Sequence, residues 1–420
     1  MKRKQTDTDL IHACMYDMLC LLGCGVNGTI PPKALLEKYR TENRTCGEEP
    51  DAAQERQLYL YRVSQAHFVD ALTGTVLKQA GVSLLPDWAQ SIAKAVRKEI
   101  LFDAERTKLF SFMEQNGIWY LPLKGIILKE YYPAVGMRQM SDQDILFDET
   151  YAQEVRQYMV GQGYQVESYG ENHHDVYEKN PVYNFELHRS LYTSSHKQVW
   201  AAYYKNIKEK LLLQDRVSYG QQMTDEDFYI FMVSHAYKHY DGQGTGIRTL
   251  LDFYVYLQAK TELDFTYIET ECRKLEIDAF EKDSRVLCKK VFGENAVNVM
   301  DRKSAQKIAN QSDWIQHIGL SDGEQNMLSY YLGCGVYGSR QQMVKNRLTA
   351  YKKEGRHFAR LYYSWHRLFP GMEVYQHYPF SGHKITLPLC WLYRIFDMLS
   401  DTGRRKGVMR EVEAVRREIP

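Results

Sequence analysis

Asp142 and Asp144, near the end of the segment LPLKGIILKEYYPAVGMRQMSDQDILF at positions 121–147, are the side chains best suited to chemistry. Side chains two apart on an extended strand share a face, so both carboxylates point one way while Ile145 and Phe147 turn inward. Adjacent carboxylates repel one another unless a cation lies between them. Hard oxygen ligands of this kind suit Mg2+ or Mn2+, which also chelate and polarise nucleotide phosphates. A third acidic group is expected nearby. The alternating run VYNFELH at 182–188 is expected to be a strand with Glu186 and His188 on one face, and Glu186 completes the acidic set. His188 is read first as a packed or hydrogen-bonded strand residue, and second as a supporting group of the site.

Lys124-Gly125 supplies the opposite charge. Residues 118–123 are expected to form a strand and 126–131 the first turns of a helix whose free N–H groups point at an anion. Gly125 lets the backbone approach a phosphate and Lys124 adds a positive charge. Arg138 is expected either to clamp phosphate oxygens with its planar fork or to neutralise Asp142 or Asp144, and Ser141 can donate a further hydrogen bond. Asp148 and Glu149 belong to the start of the next helix, where negative charge favours the dipole.

The order hydrophobic strand, Lys124-Gly125, helix ending in Tyr132-Pro133, Arg138, Ser141 to Asp144, then Glu186-Leu187-His188 resembles a poorly characterised bacterial nucleotidyltransferase family of the polymerase-beta-type superfamily. The likeness continues through Asp227, His235, His239, Arg248 and Asp252 to Tyr378-Pro379, Leu387-Pro388 and Trp391 to Arg394, covering positions 85 to 400. It implies an α+β fold, a small mixed sheet with flanking helices, in which three acidic residues hold two divalent cations. It implies transfer of a nucleoside monophosphate from a nucleoside triphosphate, ATP among the candidates, to an acceptor hydroxyl. By position, Asp142 and Asp144 would bind both metals, Glu186 would bind the nucleophile-side metal and help deprotonate the acceptor, and Lys124 with Arg138 would hold phosphates. One departure stands out: the superfamily usually has Gly-Ser or Gly-Gly at the turn, whereas this chain has Lys124-Gly125-Ile126 and offers no hydroxyl there. Phosphate binding then leans on Lys124, Arg138 and backbone amides.

The acceptor is open: a hydroxylated small molecule such as a sugar or aminoglycoside-like compound, an RNA end, or a protein side chain. A toxin-like enzyme that modifies RNA or protein is a variant of the same reading. Two alternatives come from other classes. One is a catalytically weak binding protein that keeps the fold, for which the missing hydroxyl speaks. The other is a membrane-peripheral partner in envelope polysaccharide assembly, resting on the basic and apolar C-terminus.

Positions 224–257 are the second informative stretch. Thr224 with Asp227 predicts a capping box opening a helix with Phe228, Phe231, Met232 and His235 along one stripe. His235 and His239 are four apart, which is also metal-ligand spacing, but the Glu of a zinc protease is missing between them, so a wall of the active site or helix packing is preferred. Arg248 and Asp252, four apart on the next helix, are expected to bond each other or the histidines in a buried polar network.

The elements that must position these groups follow from the wider pattern. Residues 1–86 are expected to be a helical segment with a loop at 41–51, 87–191 the catalytic core introduced by a long amphipathic helix at 87–116, 192–335 a helical domain, and 336–420 a basic, aromatic-rich helical region. In that last region Arg340, Lys345, Arg347, Lys352, Lys353, Arg356, Arg360 and Arg367 interleave with Tyr351, Tyr362, Tyr363 and Trp365. Single-stranded RNA or a phosphorylated acceptor would suit them, but a solvated helix face with inward aromatics is the first reading. The apolar run at 387–399, beside Arg404, Arg405 and Lys406, is too short to span a bilayer and is expected to pack, with a membrane surface as the other option.

With 420 residues the chain exceeds one ordinary domain, and 44% hydrophobic with 25% charged residues is the balance of a globular protein. A net charge of +1 argues against duplex DNA as a whole-surface partner. The 32 tyrosines are expected at half-buried helix surfaces. The eight cysteines include no Cys-x-x-Cys pair, which suits a reducing cytoplasm. Lys2, Arg3 and Lys4 followed by an apolar stretch from Leu10 to Val26 resemble an export signal, but Asp7, Asp9, His12 and Asp17 interrupt the segment, so it is read as a cytoplasmic helix and not an export signal or membrane span.

Overall fold

The computed structural model describes residues 2–40, 52–171, 173–193, 197–293, 318–335, 338, 340–353, 355 and 358–369, and of the remainder 388, 391–393, 395–396, 409, 411–412 and 415. The loop expected at 41–51, Cys46, Arg356, Tyr378-Pro379, Leu387, Cys390, Arg394 and the basic run Arg404 to Lys406 lie outside these residues. The chain mixes helices with a small sheet.

The chain opens with α1 (Lys2–Asn27), α2 (Lys33–Glu37), α3 (Ala52–Ala66) and α4 (Asp70–Gln79). α1 packs on α3 and α4 through Met18, Leu19, Leu21 and Leu22, all fully buried. Its inner charge, Asp17, accepts hydrogen bonds from Lys38 Nζ at 2.8 Å and the Tyr39 hydroxyl at 2.7 Å. The carboxylate that breaks the apolar pattern is therefore paired inside the fold, as a buried charge must be. Contrary to the expectation from those charges, the stretch Asp9–Asn27 is long and apolar enough by composition to cross a membrane; 56% of it is buried within the protein, the pattern of a core helix. Leu84-Leu85-Pro86 ends this segment. Pro86 occupies the first turn of α5 (Pro86–Gln115), where its missing N–H costs nothing.

The sheet contains β1 (Tyr120–Pro122), β2 (Gln143–Phe147), β3 (Gln165–Ser168), β4 (His174–Lys179) and β5 (Tyr183–His188) in the order β1-β2-β5-β4-β3. β2 runs parallel to β5, and the other pairs are antiparallel. Between β1 and β2 lie the short α6 (Gly125–Leu128) and a 3₁₀ turn at Lys129–Tyr131, and α7 (Ala152–Gly161) follows β2. Ile145, Phe147, Tyr177, Phe185 and Leu187 pack on Leu109 and Met113 of α5 and on Val155 and Met159 of α7. Alternation then sends the neighbouring side chains to the opposite face. Ile145 lies opposite Leu187 in the core, so Asp144 lies opposite Glu186 outside it.

β4 is absent from the sequence-based expectation, and the reason is visible. Its core-facing positions are Asp175 and Tyr177, not two hydrophobes. Asp175 is fully buried because Arg189 forks onto it at 2.8–3.0 Å.

Beyond the sheet come α8 (Gln198–Tyr204), the short pair β6 (Leu212–Leu213) and β7 (Gln221–Gln222), α9 (Asp225–Asp241), α10 (Ile247–Ala259), α11 (Phe265–Lys274), α12 (Asp278–Phe292), α13 (Asp322–Cys334), α14 (Arg340–Lys353) and α15 (Ala359–Leu368). Thr224 caps α9 through a bond from the Asp227 N–H, while the Asp227 carboxylate accepts from the Tyr267 hydroxyl. The chain divides into two compact units, residues 1–236 with 247–332, and 237–246 with 333–420. The first holds the sheet. In the second, α14 and α15 pack through Val344, Leu348, Ala359 and Tyr363, with Tyr351 against them, whereas Trp365 is 62% exposed. The aromatics of the basic stretch thus divide between core and surface.

Candidate functional site

The sheet register makes the site. Asp144 and Glu186 are cross-strand partners, and His188, two residues after Glu186, brings Nε2 to 2.8 Å from Asp144 Oδ1 and 3.9 Å from Glu186 Oε2. Asp144, Glu186 and His188 offer one ligand atom each, all within 4.8 Å of one another. Asp144 and His188 are buried and Glu186 is half-buried, so the group opens to solvent on the Glu186 side. Asp142 stands one step outside that close triad, at the residue before β2, half-buried and hydrogen-bonded by Ser141.

The charges are unequally placed. Burial, then Asp144 and Asp142, pushes the Glu186 carboxyl up to about 8. Burial and Asp144 also raise Asp142. At Asp144 burial opposes the charge, but Lys124 and His188 outweigh it and hold the carboxyl well below its usual range. Burial brings His188 down to about 4 against the pull of Asp144. His188 is therefore neutral at pH 7, and its bond to an acceptor-only carboxylate places the proton on Nε2. Its Nδ1 is buried with no hydrogen-bond partner.

Three carboxylates gathered round one directly bonded ammonium, two of them with raised proton affinity, form a donor set that a divalent cation would relieve. Oxygen ligands from Asp144 and Glu186 with Asp142 beside them fit Mg2+ or Mn2+.

Lys124 is that ammonium. Its Nζ lies 2.6 Å from Asp144 Oδ1, and although burial works against its charge, Asp144, Glu186 and Asp142 raise its pKa. Its φ of +44° is one an L-residue rarely adopts, at a cost of about 1–3 kcal/mol. The turn is tied to β2 by the Leu123 N–H on the Asp144 carbonyl at 3.0 Å. The amides expected to face an anion are used within the turn: Ile126 N–H bonds the Leu123 carbonyl, and those of Ile127 and Leu128 bond that of Lys124. Gly125 serves packing. A Cβ there would lie 2.5 Å from Arg138 Nη1 and 2.8 Å from Met140 Cε.

Arg138 has its fork on a third carboxylate. Its Nε and Nη2 each lie 2.9 Å from the two oxygens of Asp252, which also accepts from the Tyr132 hydroxyl at 2.8 Å. Its partner is thus Asp252 of α10, and neither Asp142 nor Asp144. Arg248 does not pair with Asp252 in a hydrogen bond; its Nη1 donates to the Gln139 carbonyl at 3.0 Å and its guanidinium lies over Phe68. Burial and Arg138 lower its pKa, while Asp252 and Asp142 oppose the change. The expected polar network is present, with a different pairing. It braces the 132–141 segment that delivers Asp142 to the site.

His235 lies 6.3 Å ring to ring from Phe231, while His239 is exposed and falls in the second unit. Neither belongs to a close ligand group among the described residues.

Two contributors had no clear signal. Lys98 of α5 donates to the Ser141 carbonyl at 3.0 Å and feels the Asp142 charge, though burial lowers its pKa. Nothing in its helical neighbourhood distinguishes it from Lys94 or Arg97. His173 and His174 form a doublet obvious in the sequence, but its place beside His188 depends on β4. A family model described as "Uncharacterised nucleotidyltransferase" matches residues 54–293, more than half of the chain, and spans every side chain placed above. No curated protein and no solved structure matches.

Proposed function

The chain belongs to the uncharacterised nucleotidyltransferase family, and on that premise we propose that it moves a nucleoside monophosphate from a nucleoside triphosphate to an acceptor hydroxyl. The observation that carries this reading is the facing of Asp144 and Glu186 across β2 and β5, with Lys124 already on Asp144. Mg2+ or Mn2+, held by Asp142, Asp144 and Glu186, would draw charge from the triphosphate oxygens and favour in-line attack.

The side chains divide the remaining work. Lys124 supplies the fixed positive charge for phosphate oxygens, and its bond to Asp144 is the one that yields when a triphosphate arrives. Glu186, as a carboxylate, accepts the proton of the attacking hydroxyl. The hydroxyl oxygen bonds the α-phosphorus as the bond to the α–β bridging oxygen breaks, and pyrophosphate leaves. Ser141 orients Asp142, and Arg138 acts at one remove by holding the segment before it on Asp252. The described cysteines Cys14, Cys20, Cys24, Cys272, Cys288 and Cys334 are buried thiols outside any disulfide among the described residues, which supports a reducing, cytoplasmic setting.

A second reading is a fold kept for binding without turnover. It is favoured by the Lys124–Asp144 pair, which neutralises one ligand, and by the absent hydroxyl at the turn. One experiment separates the two. The protein is incubated with small-molecule, RNA and protein fractions of a cell extract and with each nucleoside triphosphate labelled at either the α or the γ phosphate. Nucleotidyl transfer carries the α label to an acceptor and the γ label to pyrophosphate, and Asp144→Asn abolishes both. Transfer of the γ label to an acceptor contradicts the proposal; triphosphate binding with no transfer from any donor selects the second reading.

A further inference from the structure

We propose that His173, His174 and His188 form an imidazole-lined site for a borderline transition-metal cation of the Zn2+ and Co2+ class, beside the carboxylates and distinct from their hard-cation set. The three rings offer one nitrogen each, all within 4.8 Å of one another. Their centroids are 4.5 Å apart for His173 and His174, 5.0 Å for His174 and His188, and 5.5 Å for His173 and His188. The fold holds them there. His174 is the cross-strand partner of His188, and the His173 carbonyl accepts from the Arg189 N–H at 2.8 Å, which fixes the residue before β4 against the end of β5.

The donor chemistry selects the ion. Mg2+ takes oxygen ligands, whereas neutral imidazole suits zinc and its neighbours in the first transition row. Glu186 stays with the carboxylate set: its Oε2 lies 3.9 Å from His188 Nε2, the nitrogen that Asp144 already holds, and not beside the open Nδ1. Three imidazoles with the fourth position open to water are a ligand set that a tetrahedral ion accepts.

A second observation points the same way. The His188 side chain is only 4% exposed, yet its Nδ1 has no hydrogen-bond partner. A buried nitrogen of this kind is costly to leave unpaired. Its other nitrogen is already bound to Asp144 Oδ1 at 2.8 Å. A metal-ligating histidine normally gives its second N–H to a carboxylate, which fixes the tautomer and strengthens the donor. His188 has that arrangement before any ion is considered. The inference does not depend on nucleotidyl transfer, although Asp144 takes part in both, as a carboxylate of one site and as the support of His188 in the other.

Co2+ tests it, because its visible absorption reports both the ligand type and the coordination number. Full-length, tag-free, metal-stripped protein is titrated with Co2+ alone, then challenged with Zn2+ and, separately, with a large excess of Mg2+. The expected result is saturation at a single equivalent, with an intense band that marks low-coordinate nitrogen ligation. Zn2+ bleaches the band and Mg2+ leaves it in place. In His173→Gln with His174→Gln the band is lost, and in His173→Gln alone, which guards against a folding defect, Co2+ affinity falls by more than about tenfold. A weak octahedral spectrum, displacement by Mg2+, or a band unchanged in His173→Gln overturns the proposal. If the band appears as expected while no nucleotide binds, the transfer reading fails and the histidine site stands.

Discussion

Charges at single residues are set here by what stays buried beside them. Arg138 and Asp252 are a two-point ion pair that Tyr132 completes, and removing one member leaves the other charged and unpaired in a low-dielectric environment. Asp252→Asn is expected to destabilise the protein by about 3 kcal/mol, read as a lower urea midpoint. Nucleotide affinity falling with the midpoint unmoved would instead return Arg138 to a phosphate-binding role. His67 is a second case. It is buried, its Nδ1 accepts the Ile247 N–H, and burial lowers its pKa from 6.5 to about 4 against a backbone bond to Leu332. Because the unfolded chain takes up a proton that the folded one refuses, His67 contributes its full stability above pH 6.5. That contribution is lost as pH falls from 6.5 toward 4. Between pH 7 and 5 the loss is about 2 kcal/mol for this group. Urea unfolding at the two pH values, wild type against His67→Gln, should show a smaller pH dependence in the variant; equal slopes would remove His67 as the cause.

At the scale of elements, the parallel register of β2 and β5 does most to build the site, and hydrophobic alternation fixes it. Phe185 is 1% exposed and sits beside Glu186 in β5, on the core face with Tyr164 and Phe102 packed edge-to-face against it. Phe185→Ala is expected to cost about 3–5 kcal/mol, measured by chemical denaturation. A loss below about 1 kcal/mol would mean that this face is not the packed one. The same alternation explains what could be read from sequence. Strong apolar period at β2 and β5 revealed both strands and put Asp142 with Asp144, and Glu186 with His188, on one face of each, while the register that joins the two faces came only from the fold; Pro86 marked the start of α5. β4 was hidden because its inward positions include Asp175, whose partner Arg189 lies elsewhere in the chain. The turn at Lys124 was legible as a turn with a positive charge, but the packing demand on Gly125 was not. Gly125 answers to Arg138 and Met140, contacts that only the tertiary fold supplies. Gly125→Ala is accordingly expected to destabilise by about 1–3 kcal/mol through overpacking, seen as a lower thermal midpoint. An unchanged midpoint would reopen the phosphate-approach role for that glycine.

At the scale of the whole molecule, a near-neutral chain of 420 residues places its acidic centre in the unit that also holds α1 to α8 and α10 to α12. Composition could exclude a uniformly basic surface, but it could not place Lys98, Lys124, Arg138 and Arg248 around one small group of carboxylates. That concentration of charge arises from segments far apart in sequence, α5, the turn after β1, the loop before β2 and α10. The family match gives the class of reaction, and the acceptor is decided by surfaces for which sequence periodicity has no code. The central claim is that Asp142, Asp144 and Glu186 form a cation-dependent triphosphate site. Calorimetric titration with each of the four ribonucleoside triphosphates, with and without Mg2+, on wild type and Asp144→Ala tests it most directly. Binding of at least one triphosphate that requires Mg2+ and disappears in Asp144→Ala is the expected result. Binding that is indifferent to Mg2+ and to Asp144, or no binding by protein shown to be folded, would contradict it.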